Sequence, residues 1–217
     1  MNDKIRILKI KPTADGSMLT ISGTDAPLPV SRETVYNNRL IEGIVLTQSQ
    51  LDKLQAESEL YRCNHEVARL LAMRDHTIGE VKVKLRRKKF TATVIEAAIK
   101  KYREMGALDD ARVAHGMAQS LLERRPCGRA YLSAYLQKKK IDRLLAEQTV
   151  DLLVSDQDHI KQAIAALEKR WSRFSRFELE TARSKAYNYL ARRGFSYSDA
   201  RTAFEQLLDK EQEEPHN

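Results

Sequence analysis

Basic side chains cluster at three equivalent places in the sequence, and clustered Lys and Arg residues bind anions. Each place reads as Leu, a basic cluster, a large apolar residue and then a new helix, in residues 85–90, 136–141 and 190–195. The large apolar residues, here called the anchors, are spaced by 51 and 54 residues; they are Phe90, Ile141 and Phe195. A repeat near 50 residues is typical of an array of similar helical units. Positive charge at the same position of each unit indicates an anionic partner: nucleic acid, a nucleoprotein complex or an acidic protein.

The positive charge is concentrated in one third of the chain. The 217 residues carry a net charge of +8 and have a pI near 9.4. Residues 74–140 alone contain 17 Lys and Arg residues against 7 Asp and Glu residues, an excess larger than the net charge of the whole chain. A solvated basic face without a partner is the alternative, but recurrence at equivalent repeat positions favours binding.

The candidate binding residues are the basic clusters, the arginines around a Pro-Cys-Gly break in the second unit, and the acidic pair with an arginine that opens this unit. They are Arg86, Arg87, Lys88, Lys89, Asp109, Asp110, Arg112, Arg124, Arg125, Arg129, Lys138, Lys139, Lys140, Arg192 and Arg193. Asp109 and Asp110 stand at a helix start, where carboxylates accept from free amides and favour the helix dipole. Capping is therefore the main interpretation for this pair, and contact with a partner is the alternative.

Residues with the spacing of a catalytic, cofactor or metal site are lacking in the sequence. It contains no glycine-rich phosphate loop, and its five histidines do not fall into a metal-ligand spacing with Cys, Asp or Glu. Cys63 and Cys127 are far apart and are interpreted as packed, reduced thiols. No apolar run approaches the roughly 20 residues of a membrane span. We therefore expect a non-enzymatic cytoplasmic protein with no cofactor, no metal and no membrane contact.

Aromatic and arginine residues alternate in the third unit, a composition that could stack the bases of single-stranded nucleic acid. Helical spacing assigns Tyr187, Phe195 and Phe204 to the core instead, whereas the choice between core and stacking stays open for Trp171, Phe174 and Tyr197.

The pattern predicts a mostly α-helical protein, a tandem array of three three-helix units preceded by a small N-terminal extension with a β-hairpin and short helices. The expected boundaries are 1–62 for the extension, 63–108, 109–154 and 155–210 for helical units 1, 2 and 3, and 211–217 for a disordered tail. In the extension, strands are expected around a turn at 14–17, and helices are expected to begin after Ser31 and Thr47. The Thr47 helix is expected to end near Tyr61, before a separate helix over 63–74.

Helix ends should be equivalent in the three units. Leu85, Leu136 and Leu190 are predicted to occupy equivalent core positions. Lys89 and Lys140 are predicted to adopt the left-handed conformation that Gly194 favours, because each directly precedes an anchor. The following helices are expected to be capped by Thr93, Asp142 and Ser198.

In sequence order, these motifs resemble the RecX family of bacterial recombination regulators. The resemblance covers roughly residues 64–208. It rests on the basic helix ends, on 108–112 (Leu-Asp-Asp-Ala-Arg), on 125–128 (Arg-Pro-Cys-Gly) and on the closing 192–197 (Arg-Arg-Gly-Phe-Ser-Tyr). Two departures are that Lys89 and Lys140 replace a glycine that commonly precedes the large apolar residue, and that Ala107 and Val113 replace frequent aromatics.

The resemblance implies a regulator that binds the RecA recombinase, chiefly as its filament on single-stranded DNA, and inhibits ATP hydrolysis and strand exchange. A monomer with some direct DNA binding is expected. Two alternatives remain open: a helical protein that binds DNA directly, and a basic scaffold for an acidic partner protein.

Overall fold

The computed structural model describes residues 5–213, apart from the side chains of 156 and 157. It divides the chain into two compact bodies. The N-terminal body contains the chain up to His76 together with Glu80–Leu108, and the C-terminal body contains Thr77–Gly79 together with the chain from Asp109 onward.

The N-terminal body begins with a three-stranded antiparallel sheet of order β1-β2-β3, where the sequence predicted a two-stranded hairpin. The strands are β1 (Ile7–Pro12), β2 (Gly16–Ile21) and β3 (Leu28–Ser31). The third strand pairs Val30 with Ser17 and buries the Val30 side chain. It was missed because its four residues include a proline, which is unusual inside a strand except at an edge.

Helices α1 (Arg32–Asn37) and α2 (Gln48–Met73) follow the sheet. The predicted N-caps Ser31 and Thr47 are confirmed, the latter with a complete capping box to Gln50. The prediction of two separate helices over 47–61 and 63–74 is wrong, since α2 is one helix of 26 residues. Its buried stripe continues through residue 63, the Cys63 side chain is fully buried, and neither Gly nor Pro interrupts the segment.

Eight further helices form the rest of the repeat region, together with one short helix. They are α3 (Ile78–Arg87), α4 (Ala92–Glu104), α5 (Asp110–Arg124), α6 (Arg129–Lys138), α7 (Arg143–Leu153), α8 (Asp156–Glu168), α9 (Trp171–Phe174), α10 (Leu179–Ala191) and α11 (Tyr197–Glu213). The mostly helical fold with three-helix units is thus confirmed, with the four-residue α9 as an addition. Helix α11 continues three residues past the expected boundary at 210, and residues 214–217 of the predicted tail lie outside the described residues.

Two predicted N-caps are wrong, because each actual cap lies two residues before the predicted one. The N-cap of α4 is Thr91 rather than Thr93, and the amide of Asp199 donates to the Ser196 hydroxyl at 3.1 Å, which caps α11 two residues before Ser198. Asp142 caps α7 as predicted. In all three units the cap therefore directly follows the anchor, with no residue between the two.

The three repeated helix ends have the same backbone geometry. Leu85, Leu136 and Leu190 are fully buried, as predicted. Their carbonyl oxygens accept from the amides of the anchors Phe90, Ile141 and Phe195 at 3.4, 3.2 and 3.1 Å. The residues before the anchors are left-handed, with φ of 63° at Lys89, 66° at Lys140 and 79° at Gly194. This is a Schellman helix end, and it confirms the left-handed lysines.

Replacement of Lys89 by glycine should leave the free energy of unfolding unchanged or raise it by up to about 1 kcal/mol, because glycine carries no Cβ strain at positive φ. The same change at Arg86, inside α3, should lower it by roughly 0.5–1 kcal/mol. Urea unfolding of both variants measures the difference. A clear loss of stability in Lys89→Gly would show that the lysine side chain contributes more than its backbone costs.

Candidate functional site

The first basic helix end, residues 86–89 of the N-terminal body, divides into free and paired cations. All four side chains are exposed. Arg86 and Arg87 have no carboxylate partner among the side chains that the structure describes. Lys88 instead donates to Oε2 of Glu66 at 2.7 Å. Arg86, Arg87 and Lys89, which likewise makes no ion pair with a described side chain, are therefore the cations of this helix end that can reach an external anion without breaking a contact.

Glu66 on α2 holds Lys88 in place. Arg69 donates to Glu66 at 2.5 and 3.2 Å, and this hydrogen bonding, together with that from Lys88, lowers the pKa of the Glu66 carboxyl to about 2 against the opposing effect of burial. A carboxyl pKa this low means that the two cations strongly stabilise the ionised form of Glu66. Lys88 is thus a structural partner of Glu66 as well as a member of the basic cluster.

The second helix end, residues 138–140, is partly closed by packing inside the C-terminal body. The carbonyl oxygen of Lys139 accepts from Oγ1 of Thr77 at 2.8 Å. An added Cβ on Gly79 would overlap the backbone and Cβ of Lys140. The Lys139 ammonium lies 5.8 Å from the ring centroid of Tyr135, whereas Lys138 is exposed. The backbone of this helix end is occupied, and only its lysine side chains are available.

The third helix end, residues 192–194, is closed in the same way. The carbonyl oxygen of Arg193 accepts from the amide of Gly128, the N-cap of α6, at 2.8 Å, and Nη1 of Arg193 donates to the Pro126 carbonyl at 2.9 Å. An added Cβ on Gly128 would overlap the carbonyl of Gly194. Arg193 is therefore engaged, and Arg192 is the exposed cation of this helix end.

The acidic pair at the start of α5 caps helices. Oδ1 of Asp109 accepts from the amides of Ala111 and Arg112 at 2.9 and 3.0 Å. Oδ1 of Asp110 accepts from the first amide of α3, that of Ile78, at 2.8 Å. The capping interpretation accounts for both carboxylates, and the exposed Arg112 remains a candidate contact.

The arginines around the Pro-Cys-Gly break are mostly engaged within the C-terminal body. Arg124 donates to Ser120, and the Arg125 guanidinium lies 5.4 Å from the ring centroid of Tyr131. Arg129 pairs with Asp151 and donates through Nη1 to the Val154 carbonyl at 2.8 Å. Arg129 is the least available of the three because its contacts tie the start of α6 to the end of α7.

A buried histidine that the sequence did not single out links α6, α8 and α11. Nε2 of His159 accepts from the amide of Arg129 at 2.8 Å, so the neutral ring carries its proton on Nδ1, which donates to Oδ2 of Asp199 at 2.9 Å. Burial raises the pKa of Asp199, but hydrogen bonds from Ser196 and His159 outweigh it and leave this pKa below its ordinary value. Both ring nitrogens serve the fold, so this Ser, His and Asp set has no free base for a nucleophile.

The aromatic residues of the third unit are divided between core and surface. Phe195 and Phe204 are buried and Tyr187 is half-buried, which agrees with their assignment to the core. Of the three left open, Phe174 is buried, Trp171 packs on Phe204 and donates to Glu211 at 2.9 Å, and Tyr197 is exposed.

Sequence reasoning missed a pocket at α9 and α10, lined by basic and aromatic side chains that include Arg170, Arg173 and Lys185. The alternation of Arg and aromatics in 170–177 was the signal for it.

Two negative observations concern residues 5–213 only. None of their helices has the length and apolar character needed to cross a membrane. No three His, Cys, Asp or Glu side chains in the described part of the chain are grouped so that they could hold a metal ion.

Comparison with known proteins identifies the family. The model of the third three-helix domain of RecX matches residues 156–204, and that of the first three-helix domain matches residues 66–101. Regulatory protein RecX of Pelodictyon phaeoclathratiforme is 31% identical over 140 residues, which are 64% of this chain and 85% of that protein. The chain belongs to the RecX family. The RecX of Chlorobium phaeobacteroides is 30% identical over 140 residues, 64% of this chain and 89% of that protein.

Solved RecX structures share the fold. A crystal structure of regulatory protein RecX superposes with a TM-score of 0.76 at 17% identity, covering 93% of this chain and 99% of the other. RecX from Lactobacillus salivarius gives a TM-score of 0.65 at 23% identity over 69% of this chain and 96% of its own. The RecX fold is therefore retained at low sequence identity.

Gly128→Ala should lower the free energy of unfolding by at least about 2 kcal/mol, because the new methyl group overlaps backbone that cannot move without opening the third helix end. Gly116→Ala is the matched control. Gly116 lies inside α5 with open space at its Cβ, so the same substitution should stabilise by roughly 0.5–1 kcal/mol. Thermal unfolding of both variants provides the measurement, and equal effects would contradict the close packing at Gly128.

Lys88→Met should raise the pKa of Glu66 from about 2 toward its ordinary value of 4.5, with Arg69 preventing a full return. Carboxyl ¹³C NMR titration measures this pKa. Because the folded pKa is the depressed one, Glu66 stabilises the wild type above about pH 4.5, and this contribution is lost as the pH falls toward 2. The variant should lose less stability over that window.

Arg87→Met is the control for this titration, since Arg87 is an exposed cation of the same cluster without a contact to Glu66. It should leave the pKa of Glu66 unchanged. An unaltered pKa in Lys88→Met would mean that the Lys88–Glu66 pair does not persist in solution.

Proposed function

We propose that this RecX-family chain is a non-enzymatic cytoplasmic regulator that binds the RecA recombinase and its filament on single-stranded DNA. Binding lowers ATP hydrolysis and strand exchange in recombination and DNA repair. The observation that carries this proposal is membership of a family whose curated relatives are named regulatory proteins. The proposed mechanism is occupation of the filament by a helical protein, with no chemical step.

The basic helix ends supply the physical basis for binding. Arg86, Arg87, Lys138 and Arg192 are exposed and make no ion pair with the side chains described in the structure. Each exposed cation contributes modestly to binding phosphate or carboxylate groups, and the contributions weaken with salt. Several such cations on one chain suit a filament, which repeats its anionic groups along its length. This supports the helix ends as the contact surface.

The central test compares partners for the wild-type protein. Titration against bare single-stranded DNA, RecA alone and the RecA–DNA filament should give the tightest binding to the filament, with a decrease in steady-state ATP hydrolysis. Equal affinity for bare DNA and filament, with ATP hydrolysis unaffected, would favour a direct DNA-binding protein. Tight binding to RecA alone, without filament preference, would favour a scaffold for an acidic protein.

The double variant Arg86→Glu with Arg87→Glu should require about tenfold more protein for half-maximal inhibition of ATP hydrolysis, since each exposed ion pair contributes up to about 1 kcal/mol. Lys101→Glu with Arg103→Glu is the control, because it makes the same charge change on exposed cations in the last turn of α4, which is not one of the three repeated helix ends. Circular dichroism should show both variants folded. If the two double variants lose inhibition equally, the contacts are not specific to the helix end.

A further inference from the structure

A pocket in the C-terminal body combines positive charge with aromatic rings. It encloses about 320 Å³ beside α9 and the C-terminal part of α10. Its walls include Arg170, Arg173, Phe177, Lys185, Tyr189 and Arg192. A volume of this size is at the lower end of the range for small-ligand pockets, roughly 300–1,000 Å³, and is suited to a ligand no larger than one nucleotide.

The positive charge of the pocket is uncompensated. Four of its lining residues are cations, and none of its lining residues is acidic. None of the four forms an ion pair with any side chain that the structure describes. Elsewhere in the same body, Arg183 pairs with Glu180 within α10, and Arg201 pairs with Glu205 within α11. A concentration of unpaired cations is costly to hold together without a ligand, and it is the environment that a phosphate group stabilises.

The aromatic rings hold the cations in place. The Tyr189 ring centroid is 5.3 Å from the Arg170 guanidinium and 5.1 Å from that of Arg193, which places two planar cations against one ring. The Lys185 ammonium lies 4.6 Å from the ring centroid of Phe177. Such contacts are worth about 0.5–1 kcal/mol at exposed sites, enough to orient a side chain but not to prevent its displacement.

Phe177 is the exposed aromatic surface of the pocket. Its side chain is 43% exposed although it is large and apolar, it precedes the N-cap of α10, and its ring is contacted by the Lys185 ammonium. Asn188, also in the lining, offers both a donor and an acceptor. An exposed ring beside unpaired arginines and an amide matches the requirements of an unpaired base attached to a phosphate.

We propose that this pocket binds one nucleotide of a DNA single strand, with its phosphate between Arg173 and Arg192 and its base stacked on Phe177 in place of the Lys185 ammonium. Duplex DNA does not fit, because its bases are already stacked and their faces are inaccessible. An acidic peptide would satisfy the cations but leaves the exposed ring without a role. The proposal deepens the proposed function, in which the filament contains single-stranded DNA, but it requires no RecA for binding.

The test is fluorescence anisotropy of a labelled ten-residue oligothymidylate with the full-length protein in the absence of RecA. Arg173→Glu with Arg192→Glu should weaken binding at least tenfold. The plot of log affinity against log salt should become shallower by about 0.7, because one neutralised phosphate on a single strand contributes about 0.7 to the slope. Phe177→Leu should weaken binding about fivefold or more through lost stacking, with an unchanged salt slope.

The matched control is Lys169→Glu with Arg176→Glu. Both residues are exposed cations of the same segment and neither lines the pocket, so the net charge changes equally while the pocket remains intact. This variant should weaken binding less than threefold. An equal loss in the control and the pocket variant would overturn the proposal in favour of general electrostatic attraction. Phe177→Leu keeps the test valid if the charge-reversed pocket variant does not fold.

Two further outcomes would overturn the proposal. One is binding of a ten-base-pair duplex as tight as that of the single strand. The other is displacement of the oligonucleotide by a glutamate-rich peptide of equal charge at lower concentration than by unlabelled oligothymidylate. Pocket-dependent binding of the oligonucleotide together with no effect on filament ATP hydrolysis would confirm the pocket while refuting the proposed function.

Discussion

The hydrogen bond from each anchor amide to the carbonyl oxygen of a buried leucine is the constraint on which the repeat depends. It closes α3, α6 and α10 with a left-handed residue, at Lys89, Lys140 and Gly194. In units 2 and 3 this closure lets the leucine and the anchor enter the same core, whereas the anchor Phe90 of unit 1 is half-buried. Most of the basic residues between them are exposed because the leucine and the anchor are held inward on both sides, so core packing and surface charge have one common origin.

The same closure explains why the basic clusters are not equivalent as binding surfaces. A helix end leaves carbonyl groups without intrahelical partners, and these attract donors. The carbonyls of Lys139 and Arg193 accept from Thr77 and Gly128, which stand at helix starts, whereas Lys88 is held through its side chain by Glu66. Backbone groups of the clusters therefore serve the fold, and the function must rest on the side chains that remain.

The repeat register allowed most of the fold to be predicted, and the errors arose where local signals were used instead of the register. The buried leucines, the left-handed lysines and the Asp142 cap follow from the spacing of the anchors. Thr93 through Glu96 match a capping box, and Ser198 is a residue type that commonly caps helices, but the cap follows the anchor directly in every unit. The unbroken α2 is consistent with its sequence, since neither Gly nor Pro interrupts it. The alternation of Arg and aromatics in 170–177 signals a site near α9, but spacing along the chain does not record which residues of α10 meet it across the fold.

Positive charge at a helix end is not by itself a sign of a partner. Cations in the last turn are stabilised by the helix macrodipole by about 0.3–1 kcal/mol, which is close to the strain of about 1 kcal/mol that a left-handed lysine carries. Lys89 and Lys140 can thus persist on grounds of stability alone. Among the pocket cations, Arg170 directly follows the C-cap of α8, Arg173 lies in the last turn of α9 and Arg192 is the C-cap of α10. Lys185 has no such explanation, because it lies in the middle of α10, and the macrodipole does not account for the concentration of all four cations around one pocket. Charge that the fold does not need is the stronger indication of a ligand, and in this chain it lies in the third unit.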